Sequence, residues 1–368
     1  MAGNGTWGRV ACAGALTAVA ALAAGCSSST VVGGSTIGSI ESSLPTNFGT
    51  PEKTTLNVGV VPAMDSAGFF VAMNLGLFTR EGLTITYTPA VSSESAVKEQ
   101  LNNQLDISAG NYVSYLNEAA VDKAPIELIS EGSIMQPGAQ VIYTMPGSKI
   151  TTLAGLKGRL LGVNAPKNID YLLDVSVLTE NGISTNNIKF PSAKDAAAAR
   201  YGGQIPFPVM AGALAKKQIA AATMPEPFAS EAEQNDGAVP LADLDQGATT
   251  NFPIEGYVVT KSWAAKYPNT LKRFLAALSV GQEIADTDRA EVETAFETLR
   301  SPQDGQVTPA IAAVMALDTY PIGVNAKRIQ RVADVMFQFG LLSSKYDVTN
   351  MLLPPSFFNF SQFSSSGS

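Results

Sequence analysis

The sequence predicts an α/β protein of two lobes, each a mostly parallel β-sheet flanked by helices, with a helical C-terminal part. Three observations predict this fold class. Strand-length apolar runs alternate with amphipathic helical segments from Thr54 onward. The same alternation starts again after residues 140–144. About 315 residues follow the N-terminal segment, which is enough chain for two separate hydrophobic cores.

Residues 1–25 are predicted to form a lipoprotein signal peptide. An apolar run at residues 10–24 follows Arg9, and it is too short to span a bilayer. Small residues and then Cys26 end the run, which is typical of bacterial lipoproteins. We expect cleavage before Cys26 and a lipid such as palmitate on its sulfur. The alternative is an ordinary secretory signal with a chance cysteine, because Ala23 departs mildly from the lipoprotein pattern.

The predicted domain boundaries follow from composition and from the position of the second alternating unit. Residues 26–53 are rich in serine, glycine and threonine and predict a flexible tether. Lobe 1 is expected at residues 54–143 and 258–353, and lobe 2 at residues 144–257. Residues 354–368 are expected to form a disordered tail.

Within lobe 1, apolar runs and helical spacing alternate regularly. The predicted strands are 56–61, 83–87, 105–108 and 126–129, and the predicted helices are 69–75, 95–102 and 113–121. In lobe 2 the predicted strands are 160–163, 188–190 and 219–222, and the predicted helix is 169–180. Strands near 141–144 and 257–260 are expected to cross between the lobes.

The C-terminal third has two apolar stripes at helical spacing. One contains Leu271, Phe274, Leu275 and Leu278, and the other contains Ile329, Val332, Val335, Met336 and Phe339. Such stripes are far more often core faces than binding grooves, so we expect both to be buried.

The composition excludes several kinds of chemistry. The chain has no histidine, and its two cysteines are Cys12 in the predicted signal and Cys26. Ser-His-Asp triads, Cys-His dyads, the usual zinc sites and disulfides are therefore excluded from the mature protein. We expect no cofactor and no metal. Removing the signal leaves 23 basic and 32 acidic residues, a balance that argues against nucleic acid as a partner.

Several segments carry a family resemblance when they are taken in order. They are 69–78, 81–83, 100–107, 150–158 before 161–163, and Met-Pro-Glu-Pro-Phe at 224–228. Over residues 54–284 the chain resembles the solute-binding proteins of bacterial ABC importers, in the group serving nitrate, sulfonates, taurine and thiamine-pyrimidine precursors. The resemblance implies the type II periplasmic-binding-protein fold.

The same resemblance implies a function and a set of partners. It implies a monomeric binding protein and not an enzyme. The protein is expected at the outer face of the cell membrane, where lipid on Cys26 would anchor it. It would capture a small molecule in an inter-lobe cleft by hinge closure and deliver it to an ABC permease with separate ATPase subunits. The alternatives are an anchored sensor or adaptor with the same fold and a carboxylate-dependent enzyme. The related pyrimidine synthases rely on an active-site histidine that this chain lacks.

Two segments depart from the family pattern near the expected cleft. Residues 164–168 read Asn-Ala-Pro-Lys-Asn where the family often has a Gly-Ser turn, and residues 198–208 are longer than usual. The identity of the ligand is therefore not to be copied from any relative.

Ligands of open α/β sheets bind outside the carboxyl ends of the strands, close to helix N-termini. The candidate ligand-binding residues are those that follow predicted strands: Asp65, Ser66, Ser92, Ser93, Glu94, Asn111, Tyr112, Glu131, Asn164, Lys167, Asn168 and Glu226. Structural alternatives stay open for several of them. Ser92 and Ser93 suit helix caps, Lys167 suits a solvated loop, and Glu226 suits an ion pair that stabilises a lobe.

The charged side chains among the candidate residues indicate which class of ligand the cleft would bind. The candidate loops carry four carboxylates and one basic residue, Lys167. A small oxyanion requires cationic or amide donors without nearby carboxylates. The sequence therefore favours a neutral or amine-bearing ligand over nitrate or a sulfonate, with an aromatic ring of the ligand stacked on Tyr112 or Phe207.

Overall fold

The computed structural model describes residues 48–299, 307–354 and 357. The predicted signal peptide, Cys26 and tether residues 26–47 lie outside this part of the chain, as does most of the predicted tail. Among the described residues, no helix is both long enough and apolar enough to cross a membrane.

The first sheet has five strands within the described residues, in the spatial order β2–β1–β3–β9–β4. Their bounds are β1 Thr55–Val60, β2 Thr84–Pro89, β3 Ile107–Asn111, β4 Ile126–Ile134 and β9 Pro253–Thr260. Strands β1, β2 and β3 are parallel to one another, whereas β9 runs antiparallel to both β3 and β4.

The second sheet has four strands in the described part of the chain, in the order β6–β7–β5–β8. They are β5 Gln140–Thr144, β6 Leu161–Gly162, β7 Ala221–Pro225 and β8 Val239–Asp243. The β6–β7 pair is parallel, and β5 is antiparallel to β7 and β8. The sequence predicted a mostly parallel sheet, but this sheet is mixed. The chain reaches β5 directly from the first lobe through segment 135–139, without the βαβ crossover that a parallel pair requires. The predicted strand 188–190 is reduced to a single bridge between Leu160 and Lys189.

The chain crosses between the sheets in segments 135–139 and 244–252. The expected crossing strands at 141–144 and 257–260 instead lie inside the second and first sheets. Both are buried apolar runs, and the sheet satisfies their backbone hydrogen-bonding groups. Residues 253–257 thus belong to the first sheet and residues 140–143 to the second.

Helices cover the first sheet on both faces. They are α1 Ala67–Asn74, α2 Leu77–Arg80, α3 Ser93–Leu101, α4 Tyr112–Ala120, α8 Lys261–Lys266, α9 Pro268–Thr287 and α10 Arg289–Leu299. The main core lies between α1, α2, α9 and the sheet, where the rings of Phe78 and Phe274 stack with centroids 5.1 Å apart. The stripe that begins at Leu271 is buried there, as the sequence predicts.

The second lobe carries α5 Ile169–Glu180, α6 Phe207–Ala215 and α7 Phe228–Asp236. Two further helices, α11 Pro309–Ala312 and α12 Ala326–Gln338, lie in the C-terminal part. Asn325 is the N-cap of helix α12, and its side chain accepts hydrogen bonds from the amides of Lys327 and Arg328. Its predicted apolar stripe packs against α4 and β9, with Phe339 partly buried at the end.

Residues 48–53, predicted as the end of the tether, are docked on the first lobe. The Gly49 carbonyl accepts a hydrogen bond of 2.7 Å from the Arg273 guanidinium. The Glu52 carboxylate accepts one of 2.9 Å from the Thr270 amide, in the first turn of α9. A carboxylate is favourable there because the first amides of a helix have no partner within the helix. Residues 49 and 52 are therefore docked on lobe 1, although composition placed them in the tether.

Candidate functional site

A cavity lies between the two lobes, at the carboxyl ends of β1, β3 and β6. Lobe 1 contributes Val61, Asp65, Ser93, Asn111 and Glu255, and lobe 2 contributes Gln140, Asn164, Asn168, Ile169, Asp170 and Phe207. The cavity volume is about 20 Å³, little more than one water molecule requires. The lobes are therefore closed on one another in this conformation.

A larger groove of about 320 Å³ lies elsewhere on the second lobe. It is lined by residues 145–150 and by residues such as Arg159 and Ile219 that precede β6 and β7. This places the groove at the amino ends of the parallel strands. Ligands of open α/β sheets bind at the opposite edge, so the inter-lobe cavity is the stronger candidate despite its smaller volume.

Five of the residues predicted to bind ligand line the cavity: Asp65, Ser93, Asn111, Asn164 and Asn168. Asn111 caps α4 by accepting from the Ser114 amide at 2.9 Å, and its side-chain nitrogen donates to Ser93 Oγ at 2.9 Å. Asn168 caps α5 through the Tyr171 amide at 3.3 Å. These polar side chains are thus fixed by helix N-termini that point at the cavity.

The other predicted residues do not line the cavity, and most have a structural role. Ser92 forms a capping box with Ser95 at the start of α3. Ser66 is buried and donates to the Glu255 carboxylate. The Glu94 carboxylate accepts from the Ser114 hydroxyl. Tyr112 is fully buried in the core of lobe 1, so its ring cannot stack on a ligand.

Lys167 is an exposed loop residue with a φ of 58°. Its backbone carbonyl accepts a hydrogen bond of 3.4 Å from the Asn117 side chain. The ammonium group is not among the groups that line the cavity. The cavity therefore has no basic side chain among its described lining residues.

Glu131 forms an ion pair with Arg328 of α12, whose side chain is 37% exposed. Both carboxylate oxygens accept from the guanidinium at 2.9 Å, and the Asn325 amide donates to the same carboxylate. The Glu131 side chain is fully buried, and burial raises its pKa while Arg328 opposes that change. This bidentate pair joins α12 to β4.

Glu226 lies at the contact between lobes. Its backbone carbonyl accepts from the Met64 amide at 2.8 Å, and its carboxylate accepts from the Ala316 amide at 3.2 Å. The carboxylate also accepts from the amide and hydroxyl of Ser230, in the first turn of α7. Glu226 thus connects the second lobe to the first, and it lies outside the cavity lining.

Three polar residues that line the cavity were not predicted, Gln140, Asp170 and Glu255, and neither was Asp318, which contacts Asp65. Glu255 interrupts an otherwise apolar strand, which is a signal that the sequence offered. Asp170 and Asp174 lie four residues apart among the apolar residues of a mostly buried helix, which is a second signal. Asp318 lies in the irregular segment before α12 and contacts Asp65, and no periodic pattern marks it.

The cavity wall is strongly acidic. Burial raises the pKa of Asp65 to about 6, against hydrogen bonds with Asp318 and Gln140 that lower it. Burial also raises the pKa of Asp170 to about 7, and the nearby Asp65 carboxylate adds to this. The pKa values of Glu255 and Asp318 are raised well above the usual range by burial and then by Asp65. These carboxyl groups therefore keep their protons to a higher pH than exposed carboxyl groups do.

Two α/β lobes joined by two chain crossings, with a cavity at the carboxyl ends of their strands, form the architecture of the periplasmic solute-binding proteins. The NMT1-like family model matches residues 49–299, and the chain belongs to that family. No curated protein sequence matches the chain.

Solved structures with the same architecture cover most of the chain. The alkanesulfonate-binding protein SsuA from Xanthomonas axonopodis pv. citri, bound to MOPS, has a TM-score of 0.65 at 18% identity, covering 83% of this chain and 99% of its own. The nitrate-binding protein NrtA from Synechocystis PCC 6803 has a TM-score of 0.65 at 12% identity, covering 84% and 88%. A zinc-bound ligand-binding component of a Staphylococcus aureus ABC-type import system has a TM-score of 0.67 at 13% identity, covering 83% and 99%.

These findings confirm the predicted fold class and the resemblance to the nitrate and sulfonate group of solute-binding proteins. The family and the fold support a role in binding.

Proposed function

We propose that this protein is an extracytoplasmic solute-binding protein of an ABC importer and not an enzyme. It captures a small molecule between its lobes and delivers it to a permease served by separate ATPase subunits. The observation that carries the proposal is a single cavity walled by polar side chains from both lobes. A ligand that contacts both walls at once favours the closed state, which is how hinged binding proteins operate.

Hydrogen bonds between the lobes support the hinge. The Asn164 side chain donates to the Val91 carbonyl at 3.1 Å, and the Gln234 side chain donates to the Ala310 carbonyl at 3.1 Å. Glu226 adds the two contacts described above. The bond from Asn117 to the Lys167 carbonyl and the contact of Asp65 with Gln140 also join the lobes, and opening requires the loss of these polar contacts. The two crossings at 135–139 and 244–252 are the segments that would change conformation.

Replacing Glu226 with alanine is expected to shift the unliganded protein toward an open state. The closed state would then leave the Ala316 amide without its carboxylate acceptor, at a cost of about 1–3 kcal/mol. Small-angle X-ray scattering of the Glu226→Ala variant should give a larger radius of gyration than the wild type. Ser230→Ala is the matched control, since it loses only a contact within lobe 2. Equal radii for the wild type and Glu226→Ala would contradict the hinge.

We further propose that lipid on Cys26 anchors the protein to the membrane. A tether from Cys26 to the docked segment at residue 48 would hold the lobes near the permease and raise their effective concentration there. Cells fed a labelled palmitate should label the wild type and not Cys26→Ser, and the variant should leave the membrane fraction. A wild-type protein without label would contradict the anchor.

A further inference from the structure

We propose that the solute is a small organic cation, carrying an ammonium or guanidinium group that binds the acidic wall of the inter-lobe cavity. This inference rests on the proposed function and names the class of solute for the same site. Three properties of the cavity wall support it: unpaired hydrogen-bond acceptors, acidic side chains and an apolar part of the lining.

The hydrogen-bonding capacity of the wall is unbalanced. Gln140 Oε1 and Asp170 Oδ1 are buried acceptors without a hydrogen-bond donor in the described part of the chain. Gln140 is 1% exposed and Asp170 is fully buried, and both residues line the cavity. A buried acceptor without a donor is unfavourable, so the site favours a ligand that brings hydrogen-bond donors, and an ammonium or guanidinium group brings several.

Two side-chain donors of the wall, those of Asn164 and Asn111, are already used within the protein. The Asn164 side chain donates to the Val91 and Ile205 carbonyls, and the Asn111 side chain donates to Ser93. An anion would therefore find few free donors here. It would also face the carboxyl groups of Asp65, Asp170 and Glu255, which approach from both lobes.

The wall suits an organic cation better than a metal ion. Among the described residues, no group of three or more His, Cys, Asp or Glu side chains is placed to hold a metal. Val61, Ile169 and Phe207 form an apolar part of the lining, and Phe207 is fixed by stacking on Phe228 with centroids 5.4 Å apart. Such a surface can contact the carbon skeleton of a short amine.

Binding of a cation to this wall is coupled to proton release. Asp170 is faced by the Asn164 amide, which donates to its Oδ2 at 2.9 Å, and by Asn168, Asp65, Glu94 and Asp174. None of these groups is cationic. The pKa of Asp170 is raised to about 7 and that of Asp65 to about 6, chiefly by burial. A bound cation favours the ionised carboxylates, so affinity should rise with pH between 5.5 and 8.

A thermal-shift screen of the full-length protein at pH 8 tests the class of solute. Ethanolamine, ethylene glycol and isethionate share a hydroxyethyl group and end in a cation, a neutral hydroxyl and a sulfonate. They would be screened with larger libraries of amines and guanidines, neutral solutes and small anions that include nitrate. We expect stabilisation by members of the cationic set alone. For the cations that stabilise, calorimetry in two buffers of different ionisation enthalpy should show proton release and at least about tenfold weaker binding at pH 5.5.

Matched variants connect the effect to the cavity. Asp170→Asn should weaken cation binding by about 10–100-fold, because it removes a charged acceptor. Asp174→Asn is the control: Asp174 is equally buried one turn along α5 but does not line the cavity, and its pKa is raised well above the usual range by burial. Because Asp174 does not face the ligand, its replacement should change the affinity less than about threefold.

The outcomes separate the inference from the proposed function. Stabilisation by anions or neutral solutes alone, or no effect of any cation, would overturn the inference. If an anion or a neutral solute also compacts the protein in scattering, the proposed binding function stands with another class of solute. Equal losses of cation affinity in Asp170→Asn and Asp174→Asn would also overturn the inference.

Discussion

Replacing Arg328 with methionine is expected to lower the free energy of unfolding by about 3–5 kcal/mol at pH 7. The substitution keeps most of the apolar stem but leaves the Glu131 carboxylate buried without its guanidinium partner. One backbone donor, the Asn325 amide, would remain. Urea unfolding followed by circular dichroism measures the loss.

Two comparisons make this prediction specific. The double variant Glu131→Gln/Arg328→Met should recover most of the stability, because it removes the uncompensated charge. The exposed neighbour Lys327 should tolerate methionine with a change within about 0.5 kcal/mol. An Arg328→Met variant as stable as Lys327→Met would contradict the role given to the pair. A changed ligand affinity in the folded variant would instead favour Glu131 as a ligand contact, as the sequence predicted.

Replacing Asp170 with asparagine is expected to stabilise the unliganded protein at pH 8. The pKa of this carboxyl is raised from 3.8 to about 7 in the folded protein, mainly by burial. The raised pKa favours folding below pH 4, and this contribution is lost as the pH rises through about 7. Full ionisation at pH 8 would therefore remove up to about 4 kcal/mol, at roughly 1.4 kcal/mol for each pH unit between the two pKa values.

Asparagine has nearly the same shape and can still accept the Asn164 amide hydrogen bond. Urea midpoints should therefore be higher for Asp170→Asn than for the wild type at pH 8, and the two proteins should converge toward pH 4. A variant that is less stable at both pH values would show that Asp170 is needed for the fold. The substitution is thus expected to raise the stability of the unliganded protein and to lower its affinity for cations. Such opposite effects are typical of a binding group that destabilises the unliganded protein.

Local sequence predicted the parts of the site that depend on local structure. Asn111 and Asn168 each stand between a strand and a helix, where a side-chain oxygen caps the helix and the same position faces the cleft. The direction of a side chain within an element is decided by packing. Tyr112, next to Asn111, points into the core because α4 buries nearly its whole length.

Contacts between distant segments could not be predicted from spacing. Glu131 and Arg328 are far apart in sequence, and so are Asp65 and Asp318, so neither pair leaves a local pattern. The same limit applies to β5 and β9. Their apolar runs predicted strands, but the direction and the sheet of each depend on where the chain crosses between lobes.

Native mass spectrometry of the full-length protein purified under mild conditions can detect the proposed solute on the protein itself. We expect a fraction of the protein to retain one small molecule per chain, which the Asp170→Asn variant loses and the Asp174→Asn variant keeps. Its mass after release would identify the solute and show whether it is a cation. A wild-type protein that retains no small molecule, and that retains none after incubation with extracts of its own cells, would contradict the account.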